Sequence, residues 1–146
     1  ISNDAMNVNL PFIEYIHLIS TSMMVAIIWI VQILHYPTFK FIYQKRYEEF
    51  QDFHMKRISY IIIPIMLVEL SSGVIVLIID SSLYTPFGVS LMLLIFIWIL
   101  TALLFSKVHA YLLKGYDEDS INKLIDLNWI RTIFWTVRLI ILMKLF

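Results

Sequence analysis

Apolar residues run in four long stretches separated by shorter polar ones, at about 12–36, 58–79, 88–113 and 127–146, the first ended by Pro37. Each reaches the roughly 20 residues that a helix needs to cross the hydrocarbon of a bilayer. The runs are continuous and lack the period-two alternation of membrane strands. The pattern predicts an all-α protein, a four-helix transmembrane bundle forming a single integral membrane domain over 6–146. No internal repeat stands out.

The connections carry patterns of their own. Between the first two spans, Phe39, Tyr43, Tyr47, Phe50 and His54 recur at spacings of four, four, three and four. One aromatic face results, with Lys45, Glu48, Glu49 and Asp52 largely off it. This predicts an additional amphipathic helix in the first connection, lying in the interface or extending the second span. Residues 80–87 read as a turn, and 115–120 as a polar turn before a short helical run to Asp126.

Composition supports a membrane protein. Residues are 60% hydrophobic and 15% charged, with mean hydropathy +0.82; a soluble domain carries about 25% charged residues. Acidic and basic residues balance at 11 each, so no net field argues for nucleic acid. Cysteine is absent, which excludes disulfides, iron–sulfur clusters and covalent haem attachment. Three glycines leave no phosphate-cradling loop. Residues 1–5 precede Met6 and read as an added remnant.

Lysine and arginine set an orientation. Lys40, Lys45, Arg46, Lys56 and Arg57 lie between the first two spans; Lys107, Lys114 and Lys123 flank the third connection. The positive-inside rule puts both connections in the cytoplasm and both termini outside, in the cytoplasmic (inner) membrane.

The last span carries Arg131 and Arg138, seven residues apart and so on one helical face, with Trp135 nearby and Asn128 at its edge. A charge at membrane depth costs about 3 kcal/mol or more unless it is paired. Counting about 1.5 Å per residue from the cytoplasmic side places Glu69 and Arg138 each roughly 16 Å deep, near the midplane. They are expected to pair, as a structural ion pair or as part of a site. Gln32, His35, Tyr36, His54, His109, Asn128 and Arg131 gather at the cytoplasmic level. His17, Thr21, Met24, Ile28, Gln32 and His35 form one stripe on the first span. Pro64 removes the donor to the Tyr60 carbonyl and predicts a departure from straightness that widens a cavity below Glu69. Ser71, Ser72 and Gly73 read as close-packing residues.

The pattern Gln32-x-x-x-Tyr36-Pro37-x-Phe39, Phe50-x-x-x-His54, Pro64-x-x-x-x-Glu69, His109 and Asn128-Trp-Ile-Arg-Thr-x-x-Trp-Thr-x-Arg138 resembles a group of small four-span bacterial integral membrane proteins. The resemblance covers most of the chain and implies fold and location, but carries no activity. In layout alone, the chain also resembles anthrone-oxygenase-like membrane proteins, and no catalytic residue is transferred from them.

Three functions compete. One is an oxidoreductase-like enzyme acting on a lipophilic or amphipathic molecule. His54, His109 and Glu69 are its candidate catalytic residues. Arg131, Arg138, Asn128, Gln32, Tyr36 and Trp135 would bind substrate, and His35, His54 and His109 would hold a metal ion or haem. A second is a cofactor-free binding or transport protein, a homo-oligomer if a carrier. A third is a scaffold whose polar residues only hold helices together.

Overall fold

The computed structural model describes residues 3–80 and 84–146, with the side chains of 10–80 and 86–146. Residues 1–2 and 81–83, including Ser82 of the second connection and part of the 1–5 stretch, lie outside that set. Described residues form α1 (Asn3–Ile30), α2 (Tyr36–Thr38), α3 (Tyr47–Ile79), α4 (Tyr84–Leu100), α5 (Ser106–Leu112) and α6 (Glu118–Leu145). π-Helical turns at Val31–His35 and Thr101–Phe105 join α1 to α2 and α4 to α5 without a break. The fold is all-α, with no strand among the described residues.

Three helical stretches are long and apolar enough to cross a membrane: Leu10–Phe41, Gln44–Ile79 and Pro86–Leu112. Helix α6 has 28 residues, but Lys123, Asp126, Arg131, Arg138 and Lys144 make it more polar. Its buried positions are Ile121, Leu124, Asn128, Arg131, Trp135, Arg138 and Leu142, with Thr132 beside them. Those steps alternate three and four, the spacing of a seam between supercoiled helices. Helix α1 buries His17, Thr21, Met24 and Ile28, and the π turn after it buries Gln32, along the stripe read from the sequence. Helix α1 packs on α3 and α6, and α4 packs on α3 and α6. Phe12, Tyr60, Ile78 and Met92 on the outer faces are each more than 60% exposed, as lipid-facing residues would be.

The first connection differs from a separate amphipathic helix. The chain turns extended at Ile42 (φ −74°, ψ 135°), and helix resumes at Tyr47 and continues unbroken into α3. Tyr43 therefore leaves the aromatic face and is 64% exposed, while Phe39 and Tyr47 are fully buried. Of the two arrangements open to the sequence, the extension of the second span is the one formed. Helix α5 ends at Leu112, and the turn after it reaches Gly115, whose φ of 141° is the one positive value among the described residues and favours a residue without a Cβ. Asp117 then caps α6, its side chain accepting from the Ser120 backbone N–H at 2.9 Å. These hydrogen bonds hold the Asp117 carboxyl below its ordinary range.

Candidate functional site: a sealed ion pair and an arginine-lined cavity

Two polar centres lie inside the helices. The first is the Glu69–Arg138 ion pair, with both side chains fully buried. Arg138 Nη1 donates to Glu69 Oε1. Thr21 Oγ1 donates to the same carboxylate at 2.8 Å, and Trp135 Nε1 at 3.1 Å. Arg138 Nε donates to the Ser90 carbonyl at 2.8 Å. His17 Nδ1 lies 2.9 Å from the Glu69 carbonyl. A carbonyl only accepts, so Nδ1 carries the proton and Nε2 accepts from Arg138 Nη2 at 3.4 Å. α1, α3, α4 and α6 each supply a member of this knot. Glu69 and Arg138 thus pair as their matched positions along the second and fourth spans suggest, and His17 of the α1 stripe joins them. Gly73 makes room for it: a Cβ there would sit 2.8 Å from His17 Cε1.

The second centre surrounds Arg131. Asn128 Nδ2 donates to Gln32 Oε1 at 2.8 Å, and Gln32 Nε2 donates to the Ile125 carbonyl at 3.3 Å. That chain fixes Asn128 Oδ1, which accepts from Arg131 Nε at 3.0 Å. Arg131 Nη2 donates to Tyr36 Oη at 3.2 Å, and Nη1 to Thr101 Oγ1 at 3.4 Å. Its guanidinium lies 3.5 Å over the Phe105 ring, a cation–π contact in a desolvated place. All these partners are neutral. Among the described residues no carboxylate forms an ion pair with Arg131, although it is only 6% exposed.

The histidines expected as a metal trio come together differently. His35 Nε2 and His54 Nδ1 share a hydrogen bond of 2.9 Å. His109 is held on both sides, by the Gln51 amide at 2.8 Å on Nδ1 and Tyr36 Oη at 3.3 Å on Nε2. The rings of His54 and His109 are 5.6 Å apart. Hydrogen bonding therefore leaves His54 Nε2 as the one buried imidazole nitrogen of the three without a partner. No group of three His, Asp or Glu side chains among the described residues converges as metal ligands do.

A cavity of about 350 Å³ joins these groups. Its walls are two helical faces with the same spacing. α3 offers Met55, Ile58, Ser59, Ile62, Ile63 and Met66; the α4–α5 side offers Trp98, Thr101, Ala102, Phe105, Ser106 and His109. Tyr36, His54 and Arg131 close the polar end. Ile63, Ala102 and Ser106 are exposed, so the slot opens sideways between α3 and the α4–α5 side. Trp98 Nε1 on its wall is also buried without a partner.

Of the candidate residues, His54, His109, Arg131 and Tyr36 line this cavity. Gln32, His35 and Asn128 do not; His35 and Asn128 each hydrogen-bond a lining residue, and Gln32 binds Asn128. Glu69, Arg138 and Trp135 do not line it; they bond one another in the other centre. Nor does Pro64 widen it. Pro64 lines a separate apolar groove with Ile16, Ser20 and Met23 of α1, and α3 runs on through it. The π turn Thr101–Phe105 supplies three residues of the wall instead. Such turns recur at functional sites. Trp98, Thr101 and Phe105 were missed as site residues, though their spacing from His109 places all four on one helical face.

Comparison of the chain with protein-family models, with curated proteins and with solved structures returned no match.

Proposed function

We propose that this is a four-span membrane bundle, with α6 as the fourth span and both long connections in the cytoplasm, that binds a lipophilic or amphipathic small molecule. The apolar body of the molecule lies in the slot, and an anionic or carbonyl head meets Arg131, Trp98 Nε1 and His54 Nε2. One observation carries this reading: Arg131 is a buried cation on the wall of an apolar cavity, with only neutral partners. Burying an unpaired charge is costly, and an acceptor in the cavity would offset that cost. The opening between α3 and the α4–α5 side gives access from the bilayer. In this reading the Asn128–Arg138 motif has two duties. Asn128 and Arg131 serve the ligand, and Trp135 and Arg138 serve the ion pair.

Dodecanoate, dodecanol and dodecylamine are suitable probes for calorimetric titration of the purified protein. Dodecanoate should bind best, and Arg131→Gln should weaken it about tenfold or more, the loss of a charged hydrogen bond of about 1.5–3 kcal/mol. Equal binding of amine and carboxylate, or an unchanged Arg131→Gln variant, would overturn the reading.

A second reading, the oxidoreductase with metal or haem, draws on the free His54 Nε2. His54 would hold such a group through Nε2, with its Nδ1–H donated to His35 Nε2 to fix the ring. Metal analysis and visible absorbance of the purified protein decide it. Absence of both metal and haem from protein that binds dodecanoate would leave the cofactor-free reading.

A further inference from the structure

His35 does not line the cavity, yet it is tied to His54, which does. His35 is half-buried at the end of the π turn Val31–His35. Its Nε2 reaches His54 Nδ1 at 2.9 Å. The opposite nitrogen of His54, Nε2, is buried, has no partner and belongs to a residue of the cavity wall. Aromatic rings fix the relay residue. Phe50 stacks on His54 with 15° between ring planes, and Phe39 meets it edge-on at 5.0 Å. Phe39 also packs edge-on against His35 at 5.3 Å. These rings offer no hydrogen-bonding heteroatom, so the two imidazoles bond each other.

We propose that His35 and His54 form a two-imidazole proton path joining the protein surface to the cavity and ending at His54 Nε2. The inference rests on reading the cavity as a ligand pocket, and adds that the bound head group exchanges a proton there. An imidazole can take a proton on one nitrogen and release another from the second. Both rings start neutral, each with its proton on Nε2. His35 Nδ1 takes a proton from solvent, the His35 Nε2 proton passes to His54 Nδ1, and the His54 Nε2 proton then passes to an oxygen of the bound molecule. One proton has moved from solvent to ligand, both rings end neutral in the other tautomer, and the reverse sequence resets them. His109 cannot replace His54, because both of its nitrogens are already engaged. Its role is positioning, through Tyr36, of Arg131.

The path has a spectroscopic signature that a fixed structural hydrogen bond lacks. Protein labelled with ¹⁵N-histidine in lipid bilayers would be measured by solid-state NMR, with and without dodecanoate. The expected result is a correlation between His35 Nε2 and His54 Nδ1 through a shared proton, with both rings exchanging between tautomers. Dodecanoate should shift the His54 Nε2 resonance, and His35→Gln should abolish the exchange at His54. A single unexchanging tautomer at His54 in the unaltered protein would overturn the path, so the decision does not depend on a variant that folds. Exchange at both rings with no dodecanoate response would support the path and count against the ligand reading. A response to dodecanoate confined to Arg131 and Trp98, with His54 static, would keep the ligand and remove the path.

Discussion

Glu69→Gln is the substitution that tests the internal architecture most directly. It keeps size and one acceptor oxygen but removes the charge that Arg138 faces. Thr21 and Trp135 can still donate to the amide oxygen; the amide nitrogen would meet either Arg138 or one of these donors. Arg138 would retain the Ser90 carbonyl at 2.8 Å and His17 at 3.4 Å, both neutral, and it is fully buried. Stranding one charge of a buried pair costs about 3–5 kcal/mol. The retained hydrogen bonds put Glu69→Gln near the lower end, about 3 kcal/mol, or roughly a 100-fold change in the unfolding equilibrium. Unfolding by sodium dodecyl sulfate, followed by circular dichroism, would measure it. Arg138→Met completes a double-mutant cycle. If the pair is coupled as its geometry indicates, the double variant should be less destabilised than the sum of the singles by about 1–3 kcal/mol. Additive losses, or a Glu69→Gln variant within about 0.5 kcal/mol of the parent, would refute the reasoning.

Gly73→Ala should cost about 1–3 kcal/mol in the same assay, since its methyl group would press on His17 at 2.8 Å; an unchanged midpoint would mean that His17 moves freely. Asp117→Ala should lower the melting temperature at neutral pH by removing the α6 cap. Because folding depresses the Asp117 pKa, its contribution is present above the unfolded carboxylate range. It is lost as pH falls through the folded value, so parent and variant should converge in acid. For orientation, cysteines at Ser82 and Ser120 should be labelled from outside and from the cytoplasm respectively, and access to Ser120 from outside would invert or abolish the proposed topology.

What could be read from the chain depended on whether one helix or several were involved. Glu69 and Arg138 were legible as partners because rise per residue converts sequence position into depth, and few charges stand at that depth. The α1 stripe was legible because burial on a straight helix follows its period. The cavity was legible only at its polar end. Its walls depend on two helices meeting in register, which no single-helix pattern reports. The π turn at Thr101–Phe105 carries no Gly, Pro or other local marker, so the third span read as uniform. Pro64, the residue with an obvious marker, turned out to face α1 instead. His35, His54 and His109 do lie near one another, but a metal site needs free nitrogens. Gln51, Tyr36 and His35 occupy three of them, and side-chain bonds of that kind are invisible before the helices are placed.

The knot of Glu69, Arg138, His17, Thr21 and Trp135 does more than fix the register of the helices. With every one of these side chains at 1% exposure or less, it gathers opposite charges from α3 and α6 and polar groups from α1 into one neutral, solvent-excluded unit. The carboxylate accepts from Arg138, Thr21 and Trp135, and the guanidinium also reaches the Ser90 carbonyl and His17. None of these five side chains lines the cavity beside Arg131. Two arginines seven residues apart on one helix therefore stand in separate electrostatic compartments: Arg138 carries its counterion within the fold, while Arg131 has neutral partners and a cavity in front of it.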